Sequence, residues 1–205
     1  MREIWLGVVL LAATLPTSAA NREVQAPDLG IRFSVPGDFI DFPEAIGKDD
    51  VVYAYRGRGK EGTPEGMIAI LVKRLSGRLP QSHITTEQMR AKGKDATVAT
   101  LSWQSLEIDR ARLSQTQGGL TVITYSTQVP IKPQAVQLMV AGVASRDTEL
   151  EALSREILGS LVGESTWLTE AQKHDRYVER LGQVFGFVLV IGGLVAWRRR
   201  RAAAA

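Results

Sequence analysis

Alternating and continuous apolar positions predict a sheet of mostly antiparallel strands. Ile31, Phe33 and Val35 alternate with polar residues and stop at Pro36 and Gly37, as at the end of a strand. Further runs of this kind predict strands at residues 51–56, 67–75, 98–103, 106–113, 120–129 and 135–144. Short turns between them, such as residues 117–119, favour antiparallel hairpins. In the runs 67–75 and 135–144 both the odd-numbered and the even-numbered positions are largely apolar, which predicts strands covered on both faces.

Two helices are predicted to cover this sheet. Leu150, Leu153, Ile157 and Leu161 repeat at helical spacing and predict a helix from residue 149 to about 161. Its expected boundaries are a capping box formed by Thr148 with Glu151 at the start, and Gly163 at the end.

The second predicted helix is shorter. It begins near Thr85, where Gln88 completes a similar cap, and ends around Gly93 with Met89 facing inward. The predicted fold class is therefore α+β, a mainly antiparallel sheet with helices on both faces, arranged as a three-layer sandwich.

The C-terminal apolar run predicts one transmembrane helix. Residues 181–197 begin with Leu181, end with Trp197 and contain Gln183 as the only strongly polar side chain, a length near the lower limit for crossing a bilayer. Four consecutive basic residues then predict a stop-transfer signal that stays in the cytoplasm: Arg198, Arg199, Arg200 and Arg201.

The N-terminus predicts a secretion signal. Arg2 precedes the apolar run 4–15, and small residues at 18–20 favour cleavage after Ala20. Both termini then agree on one orientation, in which the N-terminal domain is exported to the periplasm or cell exterior and the C-terminus is cytoplasmic. The predicted organisation is a signal peptide at 1–20, an exported domain at 21–168, a stalk at 169–180, a membrane span at 181–197 and a basic tail at 198–205.

The stalk is polar and predicted to be helical. Thr169 with Gln172 forms the expected cap, and Glu170 and His174 stand at i,i+4 spacing. Such a helix would continue into the span and hold the domain near the bilayer, in contact with membrane lipid through the C-terminal helix.

Three glycines predict a helix-packing face within the span. Gly182 and Gly186 form a G-x-x-x-G pair, and Gly193 follows on roughly the same face. This pattern suggests a homodimer, whereas the alternative is the general abundance of glycine in membrane helices.

Charge gives no support for a nucleic-acid partner. The net charge of +3 comes from the termini, because residues 21–180 hold 20 Lys or Arg and 21 Asp or Glu, a balance of −1. The absence of cysteine excludes disulfides, thiolate nucleophiles and Cys-ligated zinc. An exported chain of this composition, whose only asparagine, Asn21, lies outside a glycosylation sequon, favours a bacterial origin.

No catalytic, cofactor or metal site is predicted. The segment 57–62 fits G-x-G-x-x-G, but it leads into another strand rather than the helix that a dinucleotide site needs. Ser82 and His83 are adjacent and so point apart in extended chain, which excludes a nucleophile and base pair between them.

Acidic residues offer a weaker candidate for cation binding. Asp38, Asp41 and Glu44 have no recognised calcium-loop spacing, and Asp49 with Asp50 is better interpreted as the turn before the strand at 51–56.

Several segments resemble PsbP-like domains. They are residues 129–138, Gly142, the helix ending at 157–161, Trp167 and the opening segment 33–39. The resemblance spans roughly residues 28–168 and implies an antiparallel sheet with helices on both faces, the fold shared by photosystem accessory proteins and a Ran-binding import factor.

Three functional hypotheses follow. The first is a noncatalytic accessory or binding module that engages another envelope protein through its sheet edge or loops. The second is a hydrolase or small-ligand-binding domain whose residues are dispersed in sequence. The third is a structural envelope protein that self-associates through the glycines of its span.

Overall fold

The computed structural model describes residues 20–57, 67–91 and 95–173. Within these ranges the chain forms ten strands, two complete α-helices and the beginning of a further helix at residues 170–173. The strands are β1 (Arg22–Ala26), β2 (Ile31–Val35), β3 (Phe39–Asp41), β4 (Val51–Gly57), β5 (Ala69–Arg74), β6 (Ala96–Trp103), β7 (Leu106–Gln117), β8 (Leu120–Val129), β9 (Val136–Val143) and β10 (Val162–Gly163). The helices are α1 (Thr86–Ala91) and α2 (Asp147–Ser160), and short 3-10 turns lie at Pro43–Ala45 and Ala144–Arg146.

The strands form two antiparallel sheets rather than the single sheet predicted. The larger has seven strands in the order β3-β4-β5-β9-β8-β7-β6, and the smaller has the order β1-β2-β10. Helix α2 packs against β2, β8 and β9, whereas α1 packs against β6. The predicted α+β class with mainly antiparallel strands is confirmed.

One face of the large sheet, here called the core face, carries the hydrophobic core. Ile70, Val72, Ile123 and Val140 are among its fully buried side chains, and they share one cluster with Leu150 of α2. Burial of each such side chain contributes about 2 kcal/mol to folding. The core therefore lies between the large sheet, the small sheet and α2.

The opposite face, here called the groove face, is only partly covered. A row of paired residues crosses it from Ala54 through Leu71, Met139, Ser126 and Ala111 to Val98. Leu71 and Met139 are half-buried, whereas their neighbours in sequence on the core face are buried. The expectation that both faces of these strands are covered was therefore wrong for much of this face.

Helix α2 begins differently from its predicted capping box. The helix starts at Asp147, directly after the 3-10 turn, and no side chain caps its first turn. The Glu151 carboxylate turns away to accept hydrogen bonds from Arg110 and Arg155. The helix ends at Ser160, and Gly163 instead pairs with Ile31 in the small sheet.

Gly142 of β9 lets α2 approach the sheet closely. A Cβ atom at this position would lie 3.0 Å from Leu150 Cδ2 and 3.3 Å from the Met67 carbonyl oxygen. Any larger residue would push α2 away from the core face, since these contacts are tighter than ordinary packing. In α2 itself, by contrast, a Cβ at Gly159 would meet no atom within 4 Å.

A polar network fixes α2 over the core face. The buried Arg110 guanidinium donates to Glu151 Oε1 at 2.6 Å and to Ser154 Oγ at 2.9 Å, and it lies 4.8 Å from the centre of the Tyr125 ring. The Tyr125 hydroxyl in turn donates to Asp147 Oδ1 at 2.7 Å. These bonds satisfy a cation that would otherwise be costly to bury.

The pKa values of Tyr125 and Asp147 are among those that the same network shifts. Burial, followed by the hydrogen bond to Asp147, raises the pKa of Tyr125 to about 12. Hydrogen bonds from Arg112, followed by the one from Tyr125, lower the pKa of the Asp147 carboxyl. Both shifts follow from how the helix is held on the sheet.

Candidate functional site

The groove face carries a cavity of about 360 Å³, here called the groove. Its floor is formed by strands β6 to β9, through Val98, Asp109, Ala111, Leu113, Ser126, Gln128 and Gln137. Its walls come from the segment that leads into α1, from α1 itself and from the chain after β10, through Leu79, Pro80, Ser82, Ile84, Met89 and Trp167. A volume of this size lies within the range of small-ligand and peptide side-chain pockets.

Side-chain to backbone bonds hold the walls in place. Trp167 Nε1 donates to the Leu79 carbonyl at 2.9 Å, and Gln81 Nε2 donates to the Leu168 carbonyl at 2.9 Å. These bonds tie the segment before α1 to the chain after β10. An apolar wall without regular secondary structure is thereby kept over the sheet.

Helix α1 starts with the predicted capping box. The Thr85 amide donates to Gln88 Oε1 at 2.9 Å, and the Gln88 amide donates to Thr85 Oγ1 at 3.2 Å. Met89, one turn later, lines the groove as the sequence predicts for an inward-facing residue. The local sequence therefore defines this wall.

The floor combines apolar positions with carboxamides. Gln128 and Gln137 stand opposite each other on β8 and β9, and Gln137 Nε2 donates to Ser126 Oγ at 2.7 Å. The Gln128 carboxamide makes no hydrogen bond to any residue that the structure describes. Because each carboxamide has both a donor and an acceptor, the floor can match a peptide group of a bound ligand.

A histidine and an aspartate lie at one end of the groove. His83 Nδ1 is 3.0 Å from Asp109 Oδ1, and the Ile84 amide donates to Asp109 Oδ2 at 2.5 Å. The Asp109 side chain is 11% exposed and the His83 side chain is 54% exposed. The buried carboxylate thus orients an accessible imidazole, an arrangement that adjacency in sequence did not reveal.

This pair does not extend to a nucleophile among the described residues. Ser82 lines the groove, but no hydrogen bond joins its hydroxyl to His83 within the ranges that the structure covers. The two tyrosines whose pKa reaches about 12, Tyr53 and Tyr125, lie on the core face and not in the groove. The groove can therefore bind and orient a ligand, whereas a complete catalytic constellation is not present in the described part of the chain.

Other residues singled out in the sequence have structural partners. Asp41 forms an ion pair with Arg22 at 2.8 Å. Asp49 and Asp50 adopt positive φ angles of 48° and 64° in the turn before β4, which aspartate tolerates better than most residues. No group of acidic or histidine side chains suited to a metal ion occurs among the described residues.

The G-x-G-x-x-G segment lies between two strands of one hairpin. Strand β4 ends at Gly57 and pairs antiparallel with β5, as the sequence interpretation expects. Residues 58–66 lie outside the described part of the chain.

The start of the stalk follows its predicted cap. The Thr169 amide donates to Gln172 Oε1 at 3.0 Å, and the Gln172 amide donates to Thr169 Oγ1 at 3.3 Å. The Glu170 carboxylate pairs with Lys173 at 2.7 Å. The predicted partner His174 lies outside the described residues.

Within the described ranges, no helix is long and apolar enough to cross a membrane. The predicted span at 181–197, its glycine face, the arginine cluster and the signal peptide before Ala20 all lie outside those ranges, and they stay predictions.

Comparisons with known proteins find similarity in structure only. No family model matches the sequence, and no curated protein matches it. Among solved structures, the Ran-binding protein Mog1p of Saccharomyces cerevisiae is 15% identical with a TM-score of 0.48, over 73% of this chain and 98% of its own. LpqN of Mycobacterium tuberculosis, described as involved in cell envelope biogenesis, is 13% identical with a TM-score of 0.46, over 70% of this chain and 90% of its own.

A cyanobacterial PsbP from Synechocystis is also similar, at 10% identity and a TM-score of 0.40, over 77% of this chain and 98% of its own. These neighbours include a PsbP and a Ran-binding protein, the kinds of protein that the sequence resembles. At identities of 10–15% and TM-scores below 0.5, the similarity concerns the fold alone.

Proposed function

We propose that this chain is an exported, membrane-anchored binding module without catalytic activity, which holds a segment of another envelope protein in the groove. The observation that carries the proposal is the half-covered groove face, where apolar walls stand over a floor of carboxamides. Apolar walls around a few oriented polar groups are typical of binding sites.

The chemistry of the groove favours a peptide ligand. Ile84, Met89 and Trp167 offer apolar and aromatic surface for a side chain, and Gln128 offers an unpaired carboxamide for a peptide group. Exposure supports this interpretation, since Ile84 is a large hydrophobic residue that is 41% exposed at the rim.

The position of the groove in the chain favours a partner at the membrane surface. Trp167 forms part of its wall, and the predicted stalk begins two residues later. A helical stalk of residues 169–180 would measure about 18 Å, so the groove would lie close to the outer face of the membrane. A partner anchored in the same membrane would be held at high effective concentration.

Site-specific photo-crosslinking in cells tests the groove. A photoreactive amino acid replaces Ile84 at the rim in one strain and Ala152, exposed on the far side of α2, in the matched control. We expect Ile84 to give one reproducible crosslink to an exported protein and Ala152 to give none. Gln137→Leu, which removes the floor hydrogen bond to Ser126, should reduce that crosslink. Identical products from both positions would contradict the proposal.

The absence of cysteine makes the predicted topology simple to test. Ser76→Cys lies on an exposed loop of the domain, and Ala205→Cys lies at the predicted cytoplasmic end. In spheroplasts, a membrane-impermeant maleimide should label the first variant at once and the second only after lysis. Labelling of both before lysis, or extraction of the protein by carbonate, would refute the membrane anchor.

A hydrolase or small-ligand domain is the second candidate, and the oriented His83 imidazole is the observation that favours it. The test is turnover of small esters and amides by the full chain, compared with its His83→Ala variant. Turnover that disappears in the variant would favour hydrolysis over the binding module.

Self-association through the predicted span is a separate proposal. Gly186→Ile would place a bulky side chain on the glycine face and should abolish dimerisation in the membrane. Unchanged self-association of this variant would dismiss the glycine face.

A further inference from the structure

Strand β6 is an edge of the seven-stranded sheet and lacks the usual protection of such edges. Its eight residues, Ala96–Trp103, include no charged residue and no proline. Edge strands generally carry one or the other, because unpaired backbone groups recruit further strands. Helix α1 protects only the first half of β6, through the Thr86 hydroxyl, which accepts a hydrogen bond from the Val98 amide at 2.9 Å.

That hydrogen bond fixes which backbone groups of β6 point outward. The pairing of β6 with β7 is continuous in register, so outward-pointing residues alternate along the strand. Val98 donates away from β7, and therefore Thr100 and Ser102 also direct their N–H and C=O groups outward. Both residues are exposed, and their outward N–H and C=O groups make no backbone hydrogen bond to any residue that the structure describes.

One accessible carboxylate, that of Glu107, lies beside this free edge on the groove face. Thr100 pairs with Asp109 and Ser102 pairs with Glu107 across β6 and β7. The Asp109 carboxylate is already bound by His83 and by the Ile84 amide, whereas Glu107 is exposed and forms no ion pair with a described residue. An added strand would lie about two strand spacings, or 10 Å, from the strand that carries Glu107, a distance that a Lys or Arg side chain spans when it crosses the short Ser102 side chain.

The other face of the edge is apolar. Ala99 is exposed, and Leu101 is partly buried and packs against the hydrophobic core. Side chains on alternate positions of an added strand would therefore meet different chemistry, acidic on the groove face and apolar on the core face.

We propose that an extended segment of a partner polypeptide, with alternating basic and apolar side chains, adds to β6 as an eighth strand along Thr100–Ser102. The inference rests on the proposed partner-binding function, and it names the kind of sequence that is bound. Backbone bonds supply affinity in such strand addition, and alternate side chains supply specificity.

The bond between Thr86 and Val98 obstructs a second copy of β6 that pairs about Thr100. Pairing of two β6 strands about Thr100 would place Val98 of one copy opposite Ser102 of the other, where the Val98 amide is already bonded to Thr86 and α1 lies against the strand. Moreover, β6 contributes no basic side chain to meet Glu107. The charge at the edge therefore favours a different, basic partner.

The test measures binding of a fluorescein-labelled six-residue peptide of alternating Lys and Val, with blocked ends, to the full chain in detergent. A peptide of the same composition in one Lys block and one Val block is the sequence control. Ser102→Pro removes the outward N–H while leaving the bonds to β7, and Ser102→Ala is the matched control that keeps it. We expect the proline variant to weaken binding about tenfold and the alanine variant to change it by less than about twofold.

Hydrogen exchange on the unaltered chain gives a readout that does not depend on variants. Peptide binding should slow exchange in the segment containing Thr100 and Ser102, and Glu107→Gln should weaken binding of the Lys-containing peptide. Equal binding by Ser102→Pro and Ser102→Ala, or equal binding of both peptides, would overturn the proposal. So would concentration-dependent self-association that Ser102→Pro abolishes, because it would assign the edge to a second copy.

The crosslink from Ile84 separates this inference from the proposed function. A crosslink that persists in a folded Ser102→Pro variant with unchanged peptide affinity would retain the groove and overturn strand addition. Slowed exchange at the edge without any crosslink from Ile84 would support strand addition and refute the groove as the partner site.

Discussion

Replacing Glu151 with alanine should destabilise the domain by leaving a buried cation without its carboxylate. The Arg110 side chain is 4% exposed, and its shortest bond is the one to Glu151 at 2.6 Å. Removing one partner of a fully buried ion pair costs about 3–5 kcal/mol. Glu151 is itself 39% exposed, so water can replace part of the lost interaction. We therefore expect the free energy of unfolding to fall by about 2 kcal/mol.

The prediction includes a rescue. Arg110→Met removes the cation but keeps most of the apolar stem, and replacement of a buried pair by apolar residues is often neutral. The double variant Arg110→Met with Glu151→Ala should therefore be more stable than Glu151→Ala alone. Arg155→Ala removes the exposed partner of Glu151 and should cost only about 0.3–0.5 kcal/mol.

Urea unfolding of the purified chain in mild detergent measures these differences. With a slope of about 2 kcal/mol per molar urea, Glu151→Ala should lower the midpoint by about 1 M. A midpoint for Glu151→Ala that matches Arg155→Ala, or a double variant no more stable than Glu151→Ala, would refute the idea that an orphaned guanidinium dominates the loss.

Three further predictions concern stability. Gly142→Ala should lower the free energy of unfolding by about 1–3 kcal/mol, because the added Cβ crowds α2. Gly159→Ala, on the open side of α2, should raise it by about 0.5–1 kcal/mol. Thermal unfolding compares the two variants, and equal effects would contradict the close approach of α2 to β9. Gln104 and Ser105, in the β6–β7 turn, have positive φ angles of 47° and 64°, which Asn and Gly adopt more readily. The double variant Gln104→Asn with Ser105→Gly should therefore raise the free energy of unfolding by about 1 kcal/mol. An unchanged midpoint of thermal unfolding would count against strain in this turn. Because the pKa of Asp147 is lowered in the folded state, its ionised form contributes stability that is complete above about pH 4 and is lost as the pH falls further. In urea unfolding at a series of pH values, Asp147→Asn should therefore reduce the loss of stability below about pH 4. An unchanged pH dependence in this variant would exclude Asp147 as its source.

Local patterns in the sequence were sufficient for much of the fold. The alternation of Ile31, Phe33 and Val35 identified β2 with its observed bounds, and the Thr85–Gln88 cap identified the start of α1. Strand β1 was missed, because its sequence, Arg22–Ala26, has no strong apolar alternation and is ordered by pairing with β2. Pairing between distant segments also extends β7 to Gln117, beyond its apolar run.

The errors share a physical cause, since a local pattern does not reveal competing partners. Thr148 and Glu151 have capping-box spacing, but the buried Arg110 binds the Glu151 carboxylate more favourably than the helix end does. Leu71 and Met139 lie on the groove face and are only half-buried, so their apolar character alone did not show how far a second layer covers them.

The groove itself was not predictable from one sequence. His83 and Asp109 are 26 positions apart and meet only because the chain before α1 crosses the β6–β7 hairpin. The one available signal was Asp109 itself, a charged residue on a strand whose neighbours Ile108 and Arg110 are buried.

The bond between Trp167 and the Leu79 carbonyl has a mechanical consequence for a tethered protein. If the predicted anchor holds residues 181–197 in the bilayer, a pull between the membrane and the domain reaches the folded part first at Leu168 and this tryptophan. Force would then strain the segment over the groove before it strains the sheet, since that segment is held by a few side-chain bonds rather than by a ladder of backbone bonds. The affinity of the groove for a bound partner would thus depend on tension across the envelope.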